Sequence, residues 1–180
     1  MHGVIFAELK KFADAKIGAE AWPELLSAAG LASMSYDSNG SYPDEHVRRI
    51  VAAASERTSI PSELILESYG EFIAPDLLAM VSFLIRPEWK TLDVLERAER
   101  QIHTVIRAQH PQARPPYLRT HRTSAHEVVI FYDSPRKLCS VAKGIIKGLA
   151  HHFGEAVAIV EERCMLTGSP DCTLLVTGKP

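Results

Sequence analysis

Between residues 109 and 117 the chain changes its hydrophobic period, and that change limits the folds open to it. Before it, apolar residues recur at helical spacing: Phe6, Leu9, Phe12 and Ala13, then Trp22, Leu25, Leu26 and Ala29 up to Gly30. Pro111, Pro115 and Pro116 end the helical half, because proline has no amide hydrogen and restricts the residue before it. After it come strand-like runs at Tyr117–His121, Glu127–Tyr132, Ala156–Glu162 and Thr173–Thr177. Helices first, then about four mostly antiparallel strands around one helix, predict an α+β fold with an N-terminal helical lobe. The turn-rich "SYDSNGSYPDEH" places a lobe boundary within residues 36–60, giving a helical subdomain over 1–60 and a helix-and-sheet subdomain over 61–180 of one domain.

Within the helical half, Asp44 is placed to cap a helix from Glu45 to Glu56. A second helix is expected from Pro61-Ser62-Glu63 to Tyr69, ending at Gly70, and a third from Ala74 to Leu84. Thr91 is placed to cap a long helix reaching Gln109. In the second half, Ser134 and Pro135 read as N-cap and first residue of a helix whose apolar face is Leu138, Val141, Ala142, Ile145 and Leu149.

Composition excludes several functions. A net charge of -2 gives no electrostatic case for nucleic acid or an anionic membrane surface. The apolar runs are too short to span a bilayer, and "MHGVIFAELKKFADAK" has neither the basic leader nor the cleavage site of a secretory signal. The three cysteines are an odd number, which suits a reducing cytoplasm better than a disulfide framework. No nucleophile–base pair, phosphate loop or pair of carboxylates stands out, so an enzyme is not expected.

Four features carry chemistry. Of eight histidines, seven fall at termini, turns or element ends and read as solvated. His103 instead lies at the edge of the stripe Leu92, Leu95, Ala98, Ile102, Val105 and Ile106, facing the protein. It reads either as a core-edge histidine bonded to a carbonyl or as an axial metal ligand. In "VVIFYDSPRKLC", Tyr132 and Ser134 project to one face, and Arg136 falls near a helix start that favours anions. The three form a carboxylate cradle, or else Ser134 caps, Tyr132 packs and Arg136 is solvated. Gly144 and Gly148 share one helix face, fitting close approach of a bulky partner or packing of helix on sheet. Finally, Cys139, Cys164 and Cys172 are either free buried thiols or three of the four donors of tetrahedral zinc.

Together these residues resemble the haem–nitric oxide/oxygen binding family, H-NOX, related to the sensor domain of soluble guanylate cyclase. The most specific motif is tyrosine-x-serine-x-arginine, present as Tyr132-Asp133-Ser134-Pro135-Arg136. "MHGVIF" and "ESYGEF" look like the family's opening and its glycine–aromatic segment, and the likeness runs from end to end. The resemblance implies a protohaem IX (haem b) between the lobes, with His103 on the iron, propionates held by Tyr132, Ser134 and Arg136, and Pro116 pressing on the porphyrin.

Oxygen-binding members look to use a distal tyrosine five residues after the motif arginine, where this chain has Val141; a distal tryptophan position corresponds to Leu9. With Ile145 these make an apolar pocket, so the resemblance implies nitric oxide and carbon monoxide as ligands and no stable oxygen complex. Release of His103 from iron by nitric oxide, with movement of one lobe against the other, is the implied signal. No output domain follows the last strand, so a partner in trans is expected, a histidine kinase or an enzyme of cyclic diguanylate. Cys139, Cys164 and Cys172 resemble the zinc-binding cysteine cluster of some bacterial members. Here the further cysteine is replaced near Glu161, and a fourth ligand from Glu161, a histidine or water is implied.

Overall fold

The computed structural model describes residues 1–178. Its helical half comprises α1 (Gly3–Ile17), α2 (Ala21–Ala28), α3 (Glu45–Thr58) and α4 (Ser62–Met80). Next come α5 (Thr91–Arg97), a π-helical stretch at Ala98–His103 and α6 (Thr104–Gln109). The strands are β1 (Tyr117–Ser124), β2 (Glu127–Asp133), β3 (Val157–Arg163) and β4 (Cys172–Gly178), with α7 (Cys139–His152) between β2 and β3. All neighbours pair antiparallel in the order β1-β2-β4-β3, so the expected α+β architecture is present.

Two apolar clusters organise the molecule. The first gathers Phe6, Leu9, Trp22, Leu25, Val47, Ile50, Tyr69 and Ile73 from α1–α4. The second gathers Leu78, Trp89, Leu95, Ile102, Ile146 and Leu149 with Val128, Ile130, Leu174 and Val176 of the sheet. They divide between Ile73 and Ala74, within α4, so this helix belongs to both. Ile145 of α7 packs against both as well.

Three expectations fail locally. The two helices expected on either side of Gly70 are one, running unbroken through Gly70 and Pro75. Gly70 does not end it because the residue's bareness serves a contact: a Cβ there would lie 2.2 Å from the Val141 carbonyl oxygen of α7. Tertiary packing overrides the local preference of glycine to stop a helix. Gly144 and Gly148 face the same crossing, where added Cβ atoms would lie 1.9 Å from the Glu67 oxygen and 2.5 Å from the Glu71 oxygen. The partner they admit is therefore the backbone of α4, not a ligand and not the sheet.

Helix α7 also begins at Cys139, not at Ser134 and Pro135. Lys137 takes a left-handed conformation (φ 53°) that no right-handed helix accommodates, so residues 134–138 form a loop. Nor do the expected caps form. Asp44 gives no side-chain cap to α3, and Thr91 is the first residue of α5 while Asp93 Oδ2 accepts the Lys90 amide at 3.0 Å.

Candidate functional site

His103 ends the π-helical stretch, with its side chain 15% exposed. A π turn inserts one residue into the helical register, and such turns are frequent at functional sites. The ring's Nδ1 lies 3.1 Å from Glu99 Oε2, one turn back. Glu99 is engaged on all sides: its Oε1 accepts from Arg107 at 2.7 Å and its Oε2 from the Leu118 amide at 3.0 Å. Arg107 also donates to the Pro116 carbonyl at 3.3 Å, so the histidine, the glutamate, the arginine and the proline form one connected group. Burial would raise the Glu99 carboxyl, but Arg107, the Leu118 amide and His103 outweigh it and hold it below the usual range. Burial lowers the His103 imidazole despite the pull of Glu99, so the ring is neutral near pH 7.

The Tyr132, Ser134 and Arg136 cluster sits at the end of β2 and in the loop after it. Tyr132 and Ser134 are buried, and Arg136 is 13% exposed, so neither a solvated arginine nor an edge tyrosine describes them. Burial pushes the Tyr132 phenol up to about 12, against the opposing Ser134 hydroxyl and Leu138 backbone, which keeps it a donor at neutral pH. Ser134 accepts the Arg136 amide at 3.3 Å instead of capping a helix. The loop is anchored from α3, where Arg48 donates to the Arg136 carbonyl at 3.0 Å, and Arg136 itself donates to the Arg114 carbonyl.

Asp44 joins this group. It lies 2.9 Å from Arg136 Nε and 2.8 Å from the amino terminus of Met1. Burial would raise the Asp44 carboxyl, but the amino terminus and Arg136 prevail and lower it. The Arg136 pair is close without being aligned, since both Nε and Oδ1 are buried and make no hydrogen bond. Asp44 thus already faces the Arg136 guanidinium as an ion-pair partner.

Leu9 is buried in the first cluster, and Val141 and Ile145 of α7 pack on it. None of the three offers a hydrogen-bond donor from its side chain. The nearby buried phenol, Tyr69, is committed, donating to the Ile5 carbonyl at 2.7 Å.

The three cysteines meet in a third cluster that also holds Tyr132 and Met165. Cys164 Sγ lies 3.6 Å from Cys139 Sγ and 3.7 Å from Cys172 Sγ. The thiols are free, and burial together with the neighbouring sulfurs pushes Cys139 and Cys172 above the ordinary thiol range. A Glu161 carboxylate oxygen completes a group whose donor atoms all lie within 4.8 Å of one another. Glu161 Oε2 holds Lys143 at 3.2 Å, while Oε1 is buried without a hydrogen bond.

Sequence reasoning named His103, Pro116, the cradle and the thiols, but missed Glu99 and Arg107 and gave Asp44 the role of a helix cap. The helical spacing of Glu99 to His103 was the available signal for the first.

The family model described as haem-NO-binding matches residues 2–161. No curated protein matches the chain by sequence. Among solved structures, the H-NOX protein from S. oneidensis in the Fe(II)NO state superposes with a TM-score of 0.93 at 24% identity, covering 100% of both chains. A mutant of it in the Fe(II) state gives 0.93 at 25% identity, covering 100% of this chain and 97% of that one. The Fe(II) unliganded H-NOX protein from K. algicida gives 0.89 at 20% identity, again covering 100% and 97%.

Proposed function

Because the chain belongs to the haem-NO-binding family, whose members bind haem, we propose that it is a sensor of nitric oxide that holds protohaem IX (haem b) between its two lobes. The observation that carries the reading is His103, half-buried at the end of a π turn with Nδ1 fixed by Glu99. That hydrogen bond sets the tautomer and leaves Nε2 as the nitrogen for iron. Tyr132, Ser134 and Arg136 would hold the propionates, using two hydroxyls and the guanidinium, with Asp44 giving way as its partner. Pro116, steadied through its carbonyl by Arg107, would bear on the porphyrin edge. Haem bound there would supply an iron able to take a diatomic gas.

Bound oxygen needs a donor near that position far more than nitric oxide or carbon monoxide does. Leu9, Val141 and Ile145 offer none, and the Tyr69 hydroxyl is spent on Ile5. The reading is therefore a site for nitric oxide and carbon monoxide that forms no stable oxygen complex. With haem bound, any movement of His103 would reach Arg107, Pro116 and β1 through its bond to Glu99 and the bonds described above. The proposed output is to a partner in trans, a histidine kinase or an enzyme of cyclic diguanylate, in the cytoplasm and without catalysis by this chain. Reconstitution with haem should give a Soret band that shifts with nitric oxide and with carbon monoxide under argon. A persistent oxy spectrum in air would overturn the gas selectivity, and a colourless protein refusing haem would overturn the whole reading. A His103→Gly protein given free imidazole should bind haem yet fail to signal.

A second reading concerns the thiols. Four donors on tetrahedral zinc with Zn–S bonds of about 2.3 Å place sulfurs about 3.8 Å apart, close to the 3.6 and 3.7 Å found. Thiols in simple contact lie as close, so the distinguishing feature is the buried, unpartnered Glu161 Oε1 beside them. We propose a zinc site of Cys139, Cys164, Cys172 and Glu161, sensitive to thiol oxidation. Metal analysis should find one zinc per chain, reduced in Glu161→Gln. Absence of zinc from protein purified without chelator would refute it.

A further inference from the structure

The carboxylate of Glu99 has a role toward iron beyond fixing a tautomer. We infer that Glu99 is a positioning residue that strengthens the iron–His103 bond, and that Arg107 moderates it. This rests on the haem reading above. The geometry is a relay in which Glu99 Oε2 lies 3.1 Å from His103 Nδ1, and Oε1 accepts from Arg107 at 2.7 Å. A ring N–H donated to a carboxylate gives the other ring nitrogen more electron density than one donated to a neutral carbonyl. His103 thus becomes the stronger ligand on iron and is harder to release when nitric oxide binds opposite it.

The arginine sets the strength of this effect. Its guanidinium draws charge from the same carboxylate and so weakens the pull on the Nδ1 proton. Arg107 also reaches the Pro116 carbonyl at 3.3 Å, and Leu118 of β1 gives its amide to Glu99 Oε2 at 3.0 Å. Whatever moves β1 or the proline therefore changes the ligand strength of His103. The threshold for releasing His103 is set by these neighbours as well as by the gas.

The test is resonance Raman spectroscopy of the ferrous, unliganded holoprotein, read at the iron–histidine stretch, in wild type, Glu99→Gln and Arg107→Met. Glu99→Gln keeps size and an acceptor oxygen but removes the charge, so the stretch moves to lower frequency. Arg107→Met leaves the carboxylate undiluted, so the stretch moves to higher frequency. In Glu99→Gln the affinity of His103 for iron falls by about 10- to 100-fold, the usual cost of losing such a partner. The absorption spectrum of the nitric oxide complex then shifts toward the form without His103 on the iron. A purely structural role for Glu99 would lower thermal stability in both variants without moving the stretch in opposite directions. An unchanged stretch in Glu99→Gln, or shifts of the same sign in both variants, overturns the inference. Wild-type protein that takes up no haem would instead fail the reading on which it rests.

Discussion

Replacing Gly144 by alanine should destabilise the protein, although alanine is the better helix former. The new Cβ would lie 1.9 Å from the Glu67 carbonyl oxygen and 2.8 Å from the Glu71 amide nitrogen, so α7 must retreat from α4 by about 1.5 Å to regain ordinary contact at 3.4 Å. Both obstacles are backbone of a neighbouring helix and cannot swing aside as a flexible side chain would. Overpacking of this kind costs about 1–3 kcal/mol, and a backbone obstacle puts this site at the upper end. The gain in helix propensity returns about 1 kcal/mol, leaving a net loss of about 2 kcal/mol. For a chain of this size each kcal/mol lowers Tm by about 2–4 °C, so the expected drop is about 4–8 °C. Thermal unfolding followed by far-ultraviolet circular dichroism reads it directly. Gly148→Ala, whose Cβ would meet the Glu71 oxygen at 2.5 Å and Ala74 Cβ at 2.6 Å, should cost less. A Gly144→Ala protein as stable as the parent, or more so, would refute the backbone-on-backbone crossing.

Removing the arginine of the cradle should loosen haem. Charge-assisted hydrogen bonds contribute about 1.5–3 kcal/mol, so Arg136→Ala should release haem to an apomyoglobin trap about 10- to 150-fold faster, whereas unchanged release would place the propionates elsewhere. Haem-free protein should also lose stability in acid. Burial lowers the imidazoles of His103, His46 and His2 from 6.5, so as pH falls below 6.5 the unfolded chain takes up protons that the folded one refuses. Urea midpoints should fall from pH 6.5 downward, with a shallower slope in His103→Gln. A further loss should follow below the ordinary values of 4.5 for Glu99 and 3.8 for Asp44, where the unfolded chain takes up protons that these depressed carboxyls still refuse.

What the sequence disclosed about this molecule depended on whether the cause was local. The motif Tyr132-x-Ser134-x-Arg136 and the amphipathic stripe around His103 are local patterns, legible in short windows of sequence. The four strands were legible for the same reason, since alternation and turn residues are written in short windows; β1 runs three residues beyond its expected end at His121. The start of α7 was not legible, because Ser134-Pro135 is a sound local start signal. Contacts from the other lobe win there: Asp44 and Arg48 hold the loop, and Lys137 turns left-handed. The continuity of α4 through Gly70 was hidden likewise, its reason lying on a helix far along the chain. Glu99 was within reach, but one acidic residue on a helix face is ordinarily solvated, and only the positions of Arg107 and Leu118 distinguish this one.

The crossing of α4 and α7 also bears on how the chain reaches its fold. It joins segments far apart in sequence, so its closure carries a loop-entropy cost. It also tolerates little error of register. Side chains that interdigitate can repack when two helices meet one turn out of step, but here Gly70, Gly144 and Gly148 must each find a bare stretch of opposing backbone. Sliding by one residue presents a Cβ to a carbonyl instead. The glycines thus act as a check on register, admitting one alignment of α4 and α7 and rejecting its near neighbours by collision.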